Sequence, residues 1–442
     1  MAGLAENDTV TLTKALASSF VIPGDTLSLA PGTYSANYLN TLLGTGAAPI
    51  TIKPKTPGTV TIDGSLSLIN GGNIILDGLI FTDTSWVNRD VYSEEGRATG
   101  AIYVAGAPNI KVRNCIIHNG VDGIAAFGNS LVELYGCLIY NNGAGGQGHC
   151  MYTHNNSGTY TLIENNIFMP SYNYGWHAHS SGTNFVKNYH LKKNIFGQCN
   201  FKHTFGNDTG KELAVQDILF EENETIHSYW WFNRWSNSAK NITVRNNYFV
   251  GYGTTGGDDG CCSFKIFDTV DCHDNTFVHH DGLLVRVKWA AGTPSYTFAN
   301  NTYYGTDVNS FMGKDDALMN FAAWCAEIGE TGSTFNAYPP ADRVVVIPNT
   351  YDASRCHVAV YNYSLADTVT VDVSGVYSSD EVVKVHQAQD YFNDIQTLTV
   401  SQAGTIAIDM RAEVHTVELP YASTEAIDPL MCPLYGAFVV TL

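Results

Sequence analysis

Apolar residues in this chain fall in short runs set off by turn-forming residues, with no sustained helical spacing over most of its length. One phrase recurs, in which a polar residue and then Asn or Gly lead into apolar-leaning positions. It reads Asp77-Gly78-Leu79-Ile80-Phe81, Arg113-Asn114-Cys115-Ile116-Ile117, Tyr135-Gly136-Cys137-Leu138-Ile139 and Asn165-Asn166-Ile167-Phe168-Met169. It continues at Asn194, Asn223, Asn247, Asn275 and Asn301. Successive anchors lie roughly 22 to 36 residues apart, a period that predicts a β-solenoid, each coil burying its inner face by stacking on its neighbours. Asn or Gly at the anchor suits a left-handed turn, and stacked Asn side chains can hydrogen-bond along the ladder, so these residues are read as structural.

A second strand per coil aligns as His149–His154, Trp176–His179, Phe201–Thr204, Trp230–Trp235, Phe264–Phe267 and Val285–Trp289. Period-two alternation points Met151, Trp176, Ala178, Phe201, Phe264, Ile266, Val285 and Val287 inward. Tyr152, His154, His177, His179, Lys202, Lys265, Arg286 and Lys288 then point outward. With coils about 4.8 Å apart, they predict one basic and aromatic stripe roughly 25 Å long. The other faces are expected to carry Asn, Ser, Thr and acids. Past the last coil, Asp315–Gly329 spaces Leu318, Phe321, Ala322 and Cys325 as a short amphipathic helix that caps the solenoid. Ala337–Pro340 reads as a linker, and alternating runs from Arg343 to Thr441 predict an antiparallel sandwich. The expected fold is all-β: a parallel β-helix over residues 1–310, a capping helix and linker over 311–340, and a β-sandwich over 341–442.

Composition agrees with a β-rich chain: 41 Gly, 12% aromatic and 15% charged residues in 442. A net charge of −19 argues against nucleic acid as partner, which needs a basic footprint. No apolar run predicts membrane insertion, and Met1–Thr13 lacks the features of a signal peptide. The ten cysteines have no disulfide-framework spacing and are expected to be buried thiols.

Ile22-Pro23-Gly24-Asp25-Thr26-Leu27-Ser28-Leu29-Ala30-Pro31-Gly32-Thr33-Tyr34 is similar to a first-coil phrase of the pectate-lyase-like superfamily of right-handed parallel β-helix proteins. Gly148–Asn155 and Tyr174–His179 also resemble phrases of its members. The resemblance spans roughly residues 15 to 310. It implies the fold and a glycan-directed role, extracellular or virion-associated, with a homotrimer as the assembly found among tailspikes. It does not fix an activity, because the superfamily includes lyases, hydrolases, isomerases and tailspikes.

A cationic stripe on an acidic protein favours an acidic polysaccharide, and for uronate chains the economical chemistry is β-elimination. A cation neutralises the carboxylate, a base removes the neighbouring proton, and an acid protonates the leaving oxygen. Candidates are Lys202 or His179 as base, Arg234 or Arg286 as neutraliser, and Tyr152 or His154 as acid. His177, His203, Trp231, Trp235, Lys265, Arg286 and Lys288 would bind substrate, although strict alternation buries His203. No cofactor is required by this chemistry; calcium remains an option through Asp258, Asp259, Asp268 and Asp271. A zinc-type site at His154, His177, His179 and His203 is a weaker reading. A glycoside hydrolase would need two carboxylates, for which Asp83, Asp90, Glu94, Glu95, Asp258 and Asp259 are available. The remaining alternative is non-catalytic: a glycan-binding virion spike or simply a structural β-helix.

Overall fold

A computed structural model describes residues 21–35, 42–69, 71–84, 100–128, 130–143, 148–180, 184–197, 203–207, 213–233, 238–251, 260–288, 295–307, 309–313, 316–418 and 430–442. Each coil of the chain gives one strand to each of three parallel sheets. The first sheet has eleven strands, from Thr26–Leu29 to Ser295–Ala299, and the second has twelve, from Gly32–Ser35 to Thr334–Ala337. The third has eleven, from Leu66–Ile69 to Leu318–Met319, its last pair being antiparallel. The coiling therefore continues past residue 310.

Inward side chains stack in rows, because parallel register places like positions above one another. Phe168 lies on Phe196 with centroids 5.0 Å apart, and Phe249 on Phe277 at the same spacing. Together the inward rows form one continuous apolar core.

The anchor residues divide two tasks between adjacent positions. Gly78, Asn114, Gly136, Asn165, Lys193, Glu222, Asn246, Asp274 and Asn300 take the left-handed conformation. The position after each of them turns inward, and from Asn166 upward it is Asn in every coil to Asn301. There Asn166 Nδ2 donates to Asn194 Oδ1 at 2.9 Å, Asn194 to Asn223 at 2.9 Å, and Asn223 to Asn247 at 3.1 Å. Asn247 continues to Asn275 at 2.9 Å and Asn275 to Asn301 at 3.1 Å. Cys115 and Cys137 occupy the same column lower down, where the Cys137 amide donates to Asn166 Oδ1. The sequence alignment, which matched Gly136 with Asn166, is thus one residue out in the lower coils.

The column ends on Glu330, a buried carboxylate accepting from Asn301 Nδ2, Tyr303 Oη, Ser333 Oγ and Trp324 Nε1. The capping helix is shorter than expected, Phe321–Ile328, with Asn320 as N-cap rather than the Asp pair. It buries Trp324 and Ile328, while Leu318 and Ala322 face outward. All nine described cysteines are free thiols.

The C-terminal part is a five-stranded antiparallel sheet packed on a two-stranded one, Thr368–Asp372 with Thr405–Asp409. The five-stranded sheet includes Ile395–Thr399, a strand with no clear alternation in sequence. Its other face covers the outside of the second sheet, where Ile116, Leu138, Ile167 and Ile195 meet Ile347, Ala359, Ala437 and Val439. Polar pins hold this interface. Arg343 pairs with buried Glu224 at 2.6 Å, Arg355 donates to the Asn114 carbonyl at 3.0 Å, and Asn349 donates to Asn114 Oδ1 at 2.8 Å.

Candidate functional site

Register on the third sheet decides which predicted residues meet. Tyr152, His177, Thr204, Trp231, Ser263 and Arg286 form one outward row, each on the coil above the last. His179 and Gly206 share the next row, which higher up holds Lys265 and Lys288. Tyr152, His154, His177 and His179 are all half-buried and form one cluster with Phe127 and Tyr174. The Tyr152 and His177 rings are 5.2 Å apart, and those of His177 and His179 5.1 Å. His154 lies at its lower edge, where Nδ1 accepts the Gly128 amide at 3.1 Å.

Two residues that sequence reading did not assign complete the cluster. Asp122, His149 and Tyr174 hold one position on three successive coils, two residues before the paired Ile124, Met151 and Trp176. Asp122 Oδ1 lies 2.8 Å from His149 Nδ1, and His149 Nε2 lies 3.0 Å from His177 Nδ1. The result is a line of hydrogen bonds, Asp122–His149–His177, running from a buried carboxylate to a half-buried imidazole. His149 is also stacked between the Tyr152 and Tyr174 rings, at 5.1 and 5.8 Å. Gly148 makes the approach possible: it sits at φ +83, where a Cβ would collide with the Val121 carbonyl.

Several expectations are corrected. His203 is not a substrate ligand. It falls two residues out of the expected alignment, under Trp230, and is fully buried. Its Nδ1 accepts the Trp176 amide at 2.9 Å and its Nε2 donates to the Gly197 carbonyl at 3.2 Å. That burial also removes it from any zinc-type set, and among the described residues no three His, Cys, Asp or Glu side chains converge as metal ligands. Ile266, expected inward, lies in a left-handed turn after its strand.

Nor is the cationic stripe continuous. Thr204 stands beside His177 where Lys202 was expected, Gly206 stands beside His179 where Thr204 was expected, and Thr204 and Ser263 are buried. Higher up, Lys265 Nζ lies over the Trp231 ring at 5.2 Å. Arg286, which is buried, and Lys288 both bind Asp316, at 2.7 and 2.9 Å. Burial alone would push the Asp316 carboxyl up, but these two cations hold it below the usual carboxylate range. Arg286 is therefore already paired with a carboxylate. Cations also line the first sheet, where Lys111 and Arg113 meet Glu133, and Lys192 and Arg245 meet Glu221. The third sheet has no monopoly on positive charge.

Lys202, Arg234 and Trp235 lie outside the described residues, as do Trp289, Asp90, Glu94, Glu95, Asp258 and Asp259. Asp271 sits on the first sheet beside His273, away from the cluster. A separate cleft of about 450 Å³ lies between the coils and the C-terminal sheet, lined by His227, His279, His280, Asp281, Tyr338 and Tyr435 among others. Burial and the neighbouring His279 push His227 down to about 4, so its ring is neutral near pH 7.

Residues 60–209 match the family model described as a right handed beta helix region. The protein is a right-handed parallel β-helix. No curated protein sequence matches this β-helix. Among solved structures it is similar to a mannuronic acid specific polysaccharide family 6 lyase from human gut microbiota, at 13% identity and a TM-score of 0.36. That match covers 74% of this chain and 88% of the other. It is also similar to a family 6 polysaccharide lyase from Pseudopedobacter saltans, at 12% identity and a TM-score of 0.34, covering 74% and 91%. A third is a tailspike protein of the Acinetobacter baumannii bacteriophage Fri1, a capsular polysaccharide depolymerase, at 10% identity and a TM-score of 0.37, covering 94% and 79%. Likenesses this distant carry no argument about reaction or substrate. Among the described residues no helix is long and apolar enough to cross a membrane.

Proposed function

We propose that this β-helix cleaves an acidic, uronate-containing polysaccharide by β-elimination at the Tyr152–His177 cluster, outside the cell or on a virion. The observation that carries the reading is the convergence of imidazole and phenol groups on one outward face, backed by a buried carboxylate. Imidazole titrates near neutral pH, and a phenol can serve as a positioned general acid. Hydrolysis would call for a pair of carboxylates at about 5 to 9.5 Å, whereas among the described residues the carboxylate brought to the cluster, Asp122, is bound to His149.

In the proposed reaction His177 takes the proton from the carbon beside the uronate carboxylate. That carbon's electron pair forms the double bond as the glycosidic carbon–oxygen bond breaks, and Tyr152 Oη protonates the leaving oxygen. Solvent then restores both groups. Among the described residues His179, its ring 5.1 Å from that of His177, is the group proposed to neutralise the uronate carboxylate when protonated. Trp231 lies two strand spacings above His177, about 10 Å up the face, and with Lys265 over its ring it is suited to stacking on a later unit of the chain. Ultraviolet absorbance of the unsaturated uronate, over a panel of pectate, alginate, glycosaminoglycans and ulvan, tests the reading. New reducing ends without that absorbance would indicate hydrolysis, and retention of a glycan without either would indicate a binding spike.

A further inference from the structure

Asp122 and His149 are nearly fully buried and stand off the row that holds Tyr152 and His177. Their geometry nevertheless determines which nitrogen of His177 can accept a proton. An ionised carboxylate only accepts hydrogen bonds, so at 2.8 Å His149 Nδ1 must carry a hydrogen. In the neutral ring His149 Nε2 is then an acceptor. At 3.0 Å from it, His177 Nδ1 must donate, which leaves the lone pair of neutral His177 on Nε2.

We propose that Asp122 is a positioning residue that fixes the tautomer of His177 through His149, making His177 Nε2, a buried atom that substrate must uncover to reach, the proton-accepting atom of the site. When Nε2 gains a proton, the Nδ1 hydrogen of His177 can pass to His149 Nε2. His177 is then neutral with its hydrogen on Nε2, and the positive charge rests on His149 against the Asp122 carboxylate. The atoms balance without any further reactant. The role of Nε2 as base rests on the β-elimination reading; the tautomers themselves do not.

The test is nuclear magnetic resonance of the full chain labelled at the histidine nitrogens, with signals assigned by His149→Gln and His177→Gln. Wild-type protein should show neutral His149 and His177 both protonated on Nδ1. Asp122→Asn presents an amide N–H to His149 Nδ1 and should invert both rings, moving the His177 hydrogen to Nε2. The same variant should lower kcat by about 10²–10⁴-fold with KM little changed, because His177 then carries a hydrogen rather than a lone pair on the nitrogen that must accept the proton. A wild-type His177 protonated on Nε2 overturns the proposal, even if Asp122→Asn does not fold. So do tautomers that both Asp122→Asn and Asp122→Ala leave unchanged, since the Asn oxygen can itself accept from His149 Nδ1 whereas Ala cannot. Correct tautomers together with no elimination product across the panel would leave the proton line standing and refute the lyase reading.

Discussion

His203 stacks on Trp230 inside the coil, whereas His177, one strand below and one step along the alternation, faces outward beside Tyr152. The two imidazoles make opposite predictions. His203→Ala leaves a cavity and strips the Trp176 amide of its acceptor, and should destabilise the fold by about 2–4 kcal/mol while sparing glycan binding. Thermal melting and glycan retention on the same sample check this. Alternation made Tyr152, His177 and His179 legible in the sequence, because it requires only the parity of each strand. Asp122 and His149 were not legible. Their positions precede the alternating part of each strand, and their meaning comes from a contact between coils 27 residues apart in sequence. His203 was misread because its strand is registered two residues from the expected alignment, which keeps its face but changes its neighbours.

At the scale of elements, the period of the Asn anchors revealed the solenoid, but adjacent Asn-Asn pairs hid which member turns and which stacks. Asn165 adopts the left-handed turn while Asn166 joins the ladder. Asn223→Ala would remove a link that accepts from Asn194 and donates to both Asn247 and the Leu191 carbonyl. Urea unfolding should show a loss of about 2–4 kcal/mol, since buried partners on both sides are left unmatched. In the C-terminal sheets, His415 donates from Nδ1 to Asp394 at 2.9 Å and from Nε2 to the Asp409 carbonyl at 2.7 Å. Burial alone would lower its pKa, but the bonds to Asp394 and Cys432 hold it at about 10, above the ordinary 6.5. A raised pKa in the folded state gives stability that is complete below pH 6.5 and lost as pH rises through about 10. The melting temperature of wild type should therefore exceed that of Asp394→Asn by a margin that shrinks over this range. A margin constant with pH would mean that His415 is uncharged.

For the whole molecule, the C-terminal sheets cover an apolar outer face of the coils that would otherwise meet water. A chain ending at residue 340 should aggregate or unfold, as light scattering and circular dichroism would show, whereas a detachable accessory module would leave a soluble β-helix. The sequence resemblance and the strand period were sufficient for this architecture. They were not sufficient for the charge distribution, because cations that look gathered in sequence are split between the third sheet and ion pairs on the first. An unbroken stripe gave way to an imidazole and phenol cluster low on the face, with an aromatic and cationic patch higher up. The central claim is that the lower cluster moves protons on a uronate chain. Its most direct test is ultraviolet absorbance of wild type and His177→Ala on the acidic polysaccharide panel: absorbance that rises with wild type and falls at least about a hundredfold in the variant is the predicted result, and an undiminished rise in His177→Ala would contradict it.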